Sequence, residues 1–451
     1  MSKTFRPYDP DQIFLMPASM RDWLPNDHLA YFISDVVDHL DLKTIMIRYE
    51  EEKGYPPYHP AMMVKVLLYA YCIGVPSSRK IEKRLCEDIA FRVLAANNTP
   101  DFRTISDFRK DHLQALAALF LQVLKLCRKA GLVRLGHVAL DGTKMKANAS
   151  KHKAMSYKRM KEEEARLEAE VQQLLKNAKA ADEEEDRRYG KDRRGDELPK
   201  ELAFRESRLK KIREARAALE AEARAEAKAG KDKSDKARGK PEDKSQRNFT
   251  DPASKIMPMS GGKHFEQSYN AQAAVDSANQ IIVAADVTEQ SSDRQQAVPM
   301  MKQVKENTGE LPRQMSADAG YFSSNTVEEL TNAGIDVYIP PDKMRHAYRM
   351  PAAPRGRIPN DLSTVDRMRR KLKTKQGRKR YGLRKVLPEP VFGQIKQATG
   401  FRQFLLRGKE KVRGEWRVIC TGHNVLKLFR ACNAELGGPS SRGLWSQTSA
   451  D

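Results

Sequence analysis

Cysteine is scarce in this chain. Five residues among 451 (Cys72, Cys86, Cys127, Cys420 and Cys432) are scattered, odd in number and without Cys-x-x-Cys spacing. That pattern argues against a zinc module and a disulfide framework and points to a reducing compartment. The nine histidines show no paired metal-ligand spacing either. No apolar run is long enough for a bilayer. The most apolar stretch, Pro60 to Val75, is shorter than a span and contains Lys65, so it predicts a core helix. The opening Met-Ser-Lys-Thr-Phe-Arg-Pro has no apolar core and does not read as a signal peptide. There is no Gly-x-x-x-x-Gly-Lys loop to cradle a nucleotide, so use of ATP is not expected. These absences predict a soluble cytoplasmic protein with no membrane partner.

What is present is positive charge. With 82 Lys and Arg against 60 Asp and Glu, the formal net charge is +22, and the isoelectric point is near 9.6. A polyanionic partner suits such a chain, because each cation set on a phosphate releases counterions. The length is too great for one compact core and predicts two or three units.

Residues 1 to about 130 carry helical periodicity. His28 to Leu40 is amphipathic, Pro60 opens a helix to about Ile73, and Ser77-Ser78 can cap a third. Thr104 with Asp107 has the spacing of a capping box, before a long apolar-faced helix that stops at Gly131. Arg79, Lys80, Lys83 and Arg84 form the basic face of this region. From His137 the period becomes alternating, with Val138 and Leu140 on one face and Ala139, Asp141 and Thr143 on the other. Residues 155 to about 228 interrupt this with a charged insertion. Met160, Leu167, Val171 and Leu174 recur at heptad-like steps, as do Leu202, Leu209, Ile212 and Leu219, although Arg205 and Arg216 fall in the second stripe. An antiparallel helical hairpin is expected, then a flexible linker over Lys228 to Gln246.

Strands are expected at His264 to Val275, Gln280 to Thr288, Gln314 to Ala319 and Asp336 to Pro340, and helices at Gln295 to Glu306 and Val327 to Ala333. Residues 343 to 385 hold sixteen Lys or Arg against Asp361 and Asp366. That imbalance favours DNA contact over a merely solvated segment, and Tyr348 and Tyr381 could add stacking surfaces. Beyond it a helix is expected at Val391 to Gln397, a strand at Arg417 to Thr421, a helix from His423 and a disordered tail from Gly437.

Clustered carboxylates are the hard ligands that two-metal phosphodiester chemistry requires. Asp141 sits mid-strand, Asp318 at a strand end and Glu389 at a helix start. Each also has a plain reading, as turn, strand terminator or dipole-favoured helix start. Asp276, Asp286 and Asp293 compete with them, and spacing alone does not choose.

Several stretches in order do choose: Tyr58-His-Pro60, Ser77-Ser-Arg79, Pro100 to Arg109, Leu140-Asp-Gly-Thr-Lys144, Tyr269 to Asp276, Ala317-Asp-Ala-Gly-Tyr321, Glu389 to Lys396 and His423 to Leu428. Together they resemble the bacterial insertion-sequence transposases of the DDE class, in the branch with a helical N-terminal domain and a ribonuclease-H-like core. The resemblance implies an α/β fold: a ribonuclease-H-like mixed-sheet catalytic domain with a helical hairpin insertion, preceded by an all-α N-terminal domain. The implied boundaries are 1–132 for the helical domain, 133–436 for the catalytic domain with its insertion and linker at 155–247, and 437–451 for the tail. Asp141, Asp318 and Glu389 become the catalytic metal triad, holding two Mg²⁺ ions for which Mn²⁺ can substitute.

The implied partners are double-stranded DNA, as terminal inverted repeats and target, and a second copy of the chain in a homodimer. The family signature of Tyr, two residues, Arg, three residues, Glu, six residues, Lys is met by Tyr381, Arg384, Glu389 and Lys396, except that four residues separate Arg384 from Glu389. Either Lys385 fills the Arg role or the intervening loop is one residue longer, and Arg384, the bidentate phosphate binder, is favoured. Arg367, Arg369, Arg370, Lys371 and Lys373 are the further expected DNA contacts. Two other functions are compatible with the basic chain: a metal-dependent nuclease of the same fold, and a non-enzymatic DNA-binding protein.

Overall fold

The computed structural model describes residues 19–49, 57–189, 200–228, 239–259, 264–342, 356–359 and 361–435. The expected tail, the centre of the linker and residues 343–355, with Tyr348, lie outside that set.

Among the described residues seven α-helices precede the sheet: α1 (Leu29–Asp38), α2 (Lys43–Met46), α3 (Pro60–Cys72), α4 (Ser78–Glu87), α5 (Ile89–Leu94), α6 (Phe102–Asp111) and α7 (Leu113–Lys129). Local chemistry sets their ends. The His28 ring accepts from Ala30 N, and Pro60 sits in the first turn of α3, where a missing N–H costs nothing. The expected capping box at Thr104 is corrected: Asp101 is the cap, accepting from Thr104 N at 2.6 Å. Gly131, at φ +69°, ends α7 in the left-handed region. Helix α3 is buried nearly all round, as a sequence that is apolar except for Lys65 requires, and Lys65 pairs with Asp38.

The main sheet contains β1 (Val138–Lys146), β4 (Lys255–Pro258), β5 (Phe265–Asp276), β6 (Ile282–Thr288), β7 (Gln314–Ser316) and β8 (Asp336–Tyr338). Its order is β6-β5-β1-β7-β8, with β4 sharing the β6 side of β5. Strand β1 runs antiparallel to β5 and parallel to β7, and β8 is parallel to β7. This is the mixed ribonuclease-H-like arrangement. Helix α10 (Ala297–Thr308) leads from β6 towards β7, and α11 (Ser324–Asn332) joins β7 to β8. Strand β4 is not among the strands expected from the sequence. The strand expected to reach Ala319 stops at Ser316, because Asp318 caps a 3-10 turn over Ala319–Tyr321 by accepting from Gly320 N.

The insertion is a hairpin of α8 (Tyr157–Tyr189) and α9 (Lys200–Lys228), closed at its base by β2 (Ala154–Ser156) pairing antiparallel with β3 (Gln246–Asn248). Its stripes close on each other: Met160 and Leu167 pack with Leu209, Ile212, Ala215 and Leu219 in a cluster separate from the main core. The two arginines that spoil the stripe have acids facing them. Arg216 pairs with Glu164, and Arg205 Nε lies 2.9 Å from Glu170. The linker expected to be flexible ends in order, as β3.

Among the described residues four α-helices follow β8: α12 (Thr364–Lys373), α13 (Lys375–Val386), α14 (Pro388–Gly393), which runs on as a π-helical turn over Gln394–Ala398, and α15 (Lys409–Glu435). Two expectations are overturned here. Arg384 and Lys385 lie in the last turn of α13, not in an extended loop, and Pro388 and Pro390 occupy the first turn of α14, where proline is tolerated. The expected strand Arg417 to Thr421 lies within α15, and His423 is mid-helix instead of at a helix start. Val418 and Ile419 belong to a buried helix face, so packing overrides their β-propensity.

One apolar core joins these parts. Helix α15 packs on α7, α3 and β6, with Trp416 wholly buried and its Nε1 donating to Gln272 O at 3.0 Å.

Candidate active site

Asp141 and Asp318 come together through strand register. Val138 pairs with Met315 and Ala139 with Ser316 in the parallel β1–β7 ladder, and Asp318 follows two residues past the end of β7, near enough for its charge to act on Asp141. Asp141 is half-buried, and its carboxyl is pushed up to about 7. Burial is the main cause, reinforced by the charges of Asp318 and Asp293 and opposed by Arg384 and the Gly142 N–H. A carboxyl held against its own ionisation by burial, with neighbouring carboxylates adding to it, is one that a bound cation would relieve.

Glu389 reaches the pair through a cation. The Arg384 guanidinium lies 3.9 Å from Asp141 and 3.6 Å from Glu389, with Tyr381 beneath it at 5.9 Å. The residue added to the family spacing is taken up at the junction of α13 and α14, where Leu387 is buried. Arg384 thereby faces the carboxylates from the last turn of α13, while its neighbour Lys385 is exposed. Lys396 donates to Thr143 Oγ1 and, at 2.8 Å, to Lys144 O, which ties the π-helical turn to β1 just past Asp141. Burial lowers its ammonium to about 8.

The other expected DNA contacts divide. Arg367 and Lys373 are exposed on α12. Arg369 pairs with Asp342 and Asp366, and Arg370 donates to Arg357 O. Lys371 is bound to Asp336 of β8 and lies over the Tyr338 ring, which gives it a structural duty in fixing α12 to the sheet.

Sequence reasoning missed the polar layer behind the aspartates. Lys144, Asn270, Gln272, Asp293 and Tyr321 form it. In the sequence Asp293 stands out only as a competing carboxylate; alternation along β1 and β5 was the signal for Lys144, Asn270 and Gln272, and Tyr321 lies in the turn after Asp318. Asp276, also a competitor, accepts from Leu135 N and Ala278 N at the β5 turn, and Asp286 pairs with Arg413.

The donors suit a hard divalent cation in kind, being carboxylate oxygens. As the side chains stand, no three His, Cys, Asp or Glu among the described residues are grouped so as to hold one ion. Glu389, with its side chain half exposed, is turned to Arg384, so the three carboxylates converge through that guanidinium.

Comparison with known families agrees with this geometry. Residues 18–111 match the family described as transposase domain (DUF772), and residues 232–425 match the transposase DDE domain. No curated protein and no solved structure matches the chain. Among the described residues no helix is long and apolar enough to cross a membrane. The DDE domain implies divalent-metal-dependent chemistry on DNA. With a transposase match on either side of the hairpin and a mixed sheet presenting paired aspartates, the chain belongs to the insertion-sequence transposases of the DDE class and is a DNA transposase.

Proposed function

We propose that this transposase binds the terminal inverted repeats of its own element, hydrolyses the phosphodiester at each end to free a 3′-hydroxyl, and joins that end to target DNA. The observation that carries the assignment is Arg384 bridging Asp141 and Glu389, with Asp318 just past the end of the strand that pairs with β1. Asp141 and Asp318 would hold the metal, and Glu389 would complete the site once released from Arg384. Two divalent ions, Mg²⁺ or Mn²⁺, would supply activation of the attacking oxygen and stabilisation of the departing one.

The protein's own cations take the phosphate. Arg384 offers a planar fork to two phosphate oxygens once DNA competes for it, and Lys396 supplies a point charge one helix turn beyond α14. Tyr381 supports the Arg384 guanidinium. Lys385, Arg367 and Lys373 present exposed charge to the flanking backbone, with Arg370, Arg369 and Lys371 adding to the field of α12. Residues 1–132 form the unit that recognises DNA or organises assembly, residues 133–436 the catalytic unit with its insertion at 155–247, and 437–451 a tail. Two ends must be brought together, which favours a homodimer, and the reaction belongs in the cytoplasm with the bacterial nucleoid.

The test is cleavage of DNA ends, taken from the inverted repeats that flank the coding sequence. Asp141→Ala, Asp318→Ala and Glu389→Ala should each abolish cleavage in Mg²⁺ or Mn²⁺ and leave DNA binding nearly unchanged. Wild-type rates in any one variant remove that residue from the triad. A nuclease of the same fold would cut these ends without joining them to a plasmid target, so a strand-transfer assay separates the two readings.

A further inference from the structure

Asp293 lies in the turn between β6 and α10, where an acid would ordinarily be solvated. Here its side chain is only 20% exposed and reaches the middle of the sheet. Its Oδ1 accepts from Asn270 Nδ2 at 2.6 Å and from Gln272 Nε2 at 2.7 Å, both residues being wholly buried on β5. Gln272 in turn accepts from the Tyr321 hydroxyl, three residues past Asp318. Two glycines clear its path. A Cβ on Gly142 would fall on Gln272 Nε2 and come within 2.8 Å of Asp293 Oδ1, and one on Gly320 would lie 3.6 Å from Asp293 Oδ2. Asp293 therefore sits beside the residues that directly follow, or nearly follow, the two paired aspartates.

Lys144 is the cation on this face. Its Nζ donates to Ser291 O at 2.8 Å and stands 3.8 Å from Asp293 Oδ1. The charges of Asp293, Asp318 and Asp141 all act on it. A lysine has a flexible four-carbon stem, so an ammonium that stands beside Asp293 and feels the charges of Asp318 and Asp141 can swing towards them when Asp293 no longer holds it. A polar layer that orients metal ligands is commonly as consequential as the ligands themselves.

We propose that Asp293 is a positioning residue of the transposase centre: with Ser291 O it anchors Lys144 behind β1, and so keeps Asp141 and Asp318 open to divalent metal. This rests on the reading of those two aspartates as metal ligands. Replacing Asp293 by Asn keeps an oxygen to accept from Asn270 and Gln272 but removes the charge that holds Lys144. The ammonium then moves onto Asp141 and Asp318 and competes with the metal.

Mn²⁺ binding to the full chain, followed by the electron paramagnetic resonance signal of free Mn²⁺, tests this without reference to turnover. Wild type should bind and Asp141→Asn should not. If Asp141→Asn binds as wild type does, the metal-ligand reading itself fails. With that control in place, Asp293→Asn should weaken binding roughly 10–100-fold, at a melting temperature near that of wild type. Lys144→Met should bind at least as tightly as wild type, and the double variant Asp293→Asn with Lys144→Met should recover most of the affinity. Unchanged affinity in Asp293→Asn, no recovery in the double variant, or a tenfold loss in Lys144→Met alone would each overturn the proposal.

Discussion

Arg384 stands between Asp141 and Glu389, 3.9 Å from one carboxylate and 3.6 Å from the other. It is the last cation of α13 to face inward, and the family signature lacks register here by a single residue. Arg384→Ala should lower end cleavage by about 10²-fold, the scale of losing one preorganised charge partner in a water-poor site. Lys385→Ala, one residue away and exposed, should stay within a few-fold of wild type. Rates measured side by side at equal melting temperature decide it, and a more damaging Lys385→Ala would return the Arg role to that lysine.

Gly142 touches the site by lacking a side chain. A methyl there meets Gln272 Nε2, Asp293 Oδ1 and Asn270 Oδ1 together. Overpacking of this kind costs on the order of 1–3 kcal/mol. Gly142→Ala should therefore lower the melting temperature by several degrees and slow cleavage at least tenfold. A variant as active and as stable as wild type would show that the polar layer yields freely.

The DNA path over α12 and α13 is tested by salt. Arg367, Lys373 and Lys385 are exposed, whereas Lys371 is needed to tie α12 to β8. Neutralising the first three should flatten the dependence of log affinity on log salt by about 0.9 for each phosphate that no longer meets a cation. Lys371→Ala should instead lower thermal stability. An unchanged slope in the folded triple variant would put the duplex on another face.

Glu164 holds the hairpin seam. It is buried and receives both Arg213 and Arg216. Removing it leaves two partly exposed guanidiniums facing an apolar seam, a loss on the order of 2 kcal/mol confined to the insertion. Glu164→Ala should lower the helical circular dichroism signal of the hairpin on mild heating while the main thermal transition is kept. Replacing Tyr157 to Lys228 by a short Gly-Ser linker, with β2 and β3 retained, should also leave a cooperative core. Loss of that transition would mean the hairpin supports the sheet.

Acid should destabilise the fold through His423. Burial holds this ring down to about 4, with Nε2 3.0 Å from Gln280 O. The unfolded ring takes up a proton near pH 6.5 and the folded ring does not until about 4, so the unfolded state binds more protons in that window. Stability is therefore full above pH 6.5 and falls as pH drops towards 4, by about 2 kcal/mol between pH 7 and pH 5 from this group. His137, also held at about 4 mainly by burial, acts in the same sense. Denaturant melts of wild type and His423→Gln at the two pH values should show the smaller acid loss in the variant. Equal losses would exclude His423 as a source.

Strand β1 was legible because alternation is local: Val138 and Leu140 against Asp141 and Thr143 needs nothing beyond β1 itself. Helix α3 was legible for the same reason, from an apolar run with proline at its head. What failed to show depended on partners distant in sequence. Arg417 to Thr421 alternates like a strand, yet α7 and β6 demand a helix there. Arg384 looked like loop because two prolines follow it, and proline at the start of a helix is indistinguishable locally from proline in an extended segment. Asp293 gave no sign of its place, since Gly142, Asn270 and Gln272 reach it only after β1, β5 and the turn before α10 have met.

The packing of α15 on α7 and α3 bears on the order in which the chain becomes an enzyme. Strand β1 is synthesised more than a hundred residues ahead of β5 and the residues of α14, and α7 emerges with an apolar face whose most extensive partner, α15, is made last. Ribosomal synthesis proceeds at about 5–20 residues per second, so that face waits many seconds for its partner. Only when α15 is complete does the core close around Trp416 and bring α14 against β1. A nascent transposase is therefore incompetent until nearly all of it has been made, and a fragment ending before Lys409 would expose a broad apolar surface to chaperones and proteases in place of a carboxylate centre poised to cut DNA.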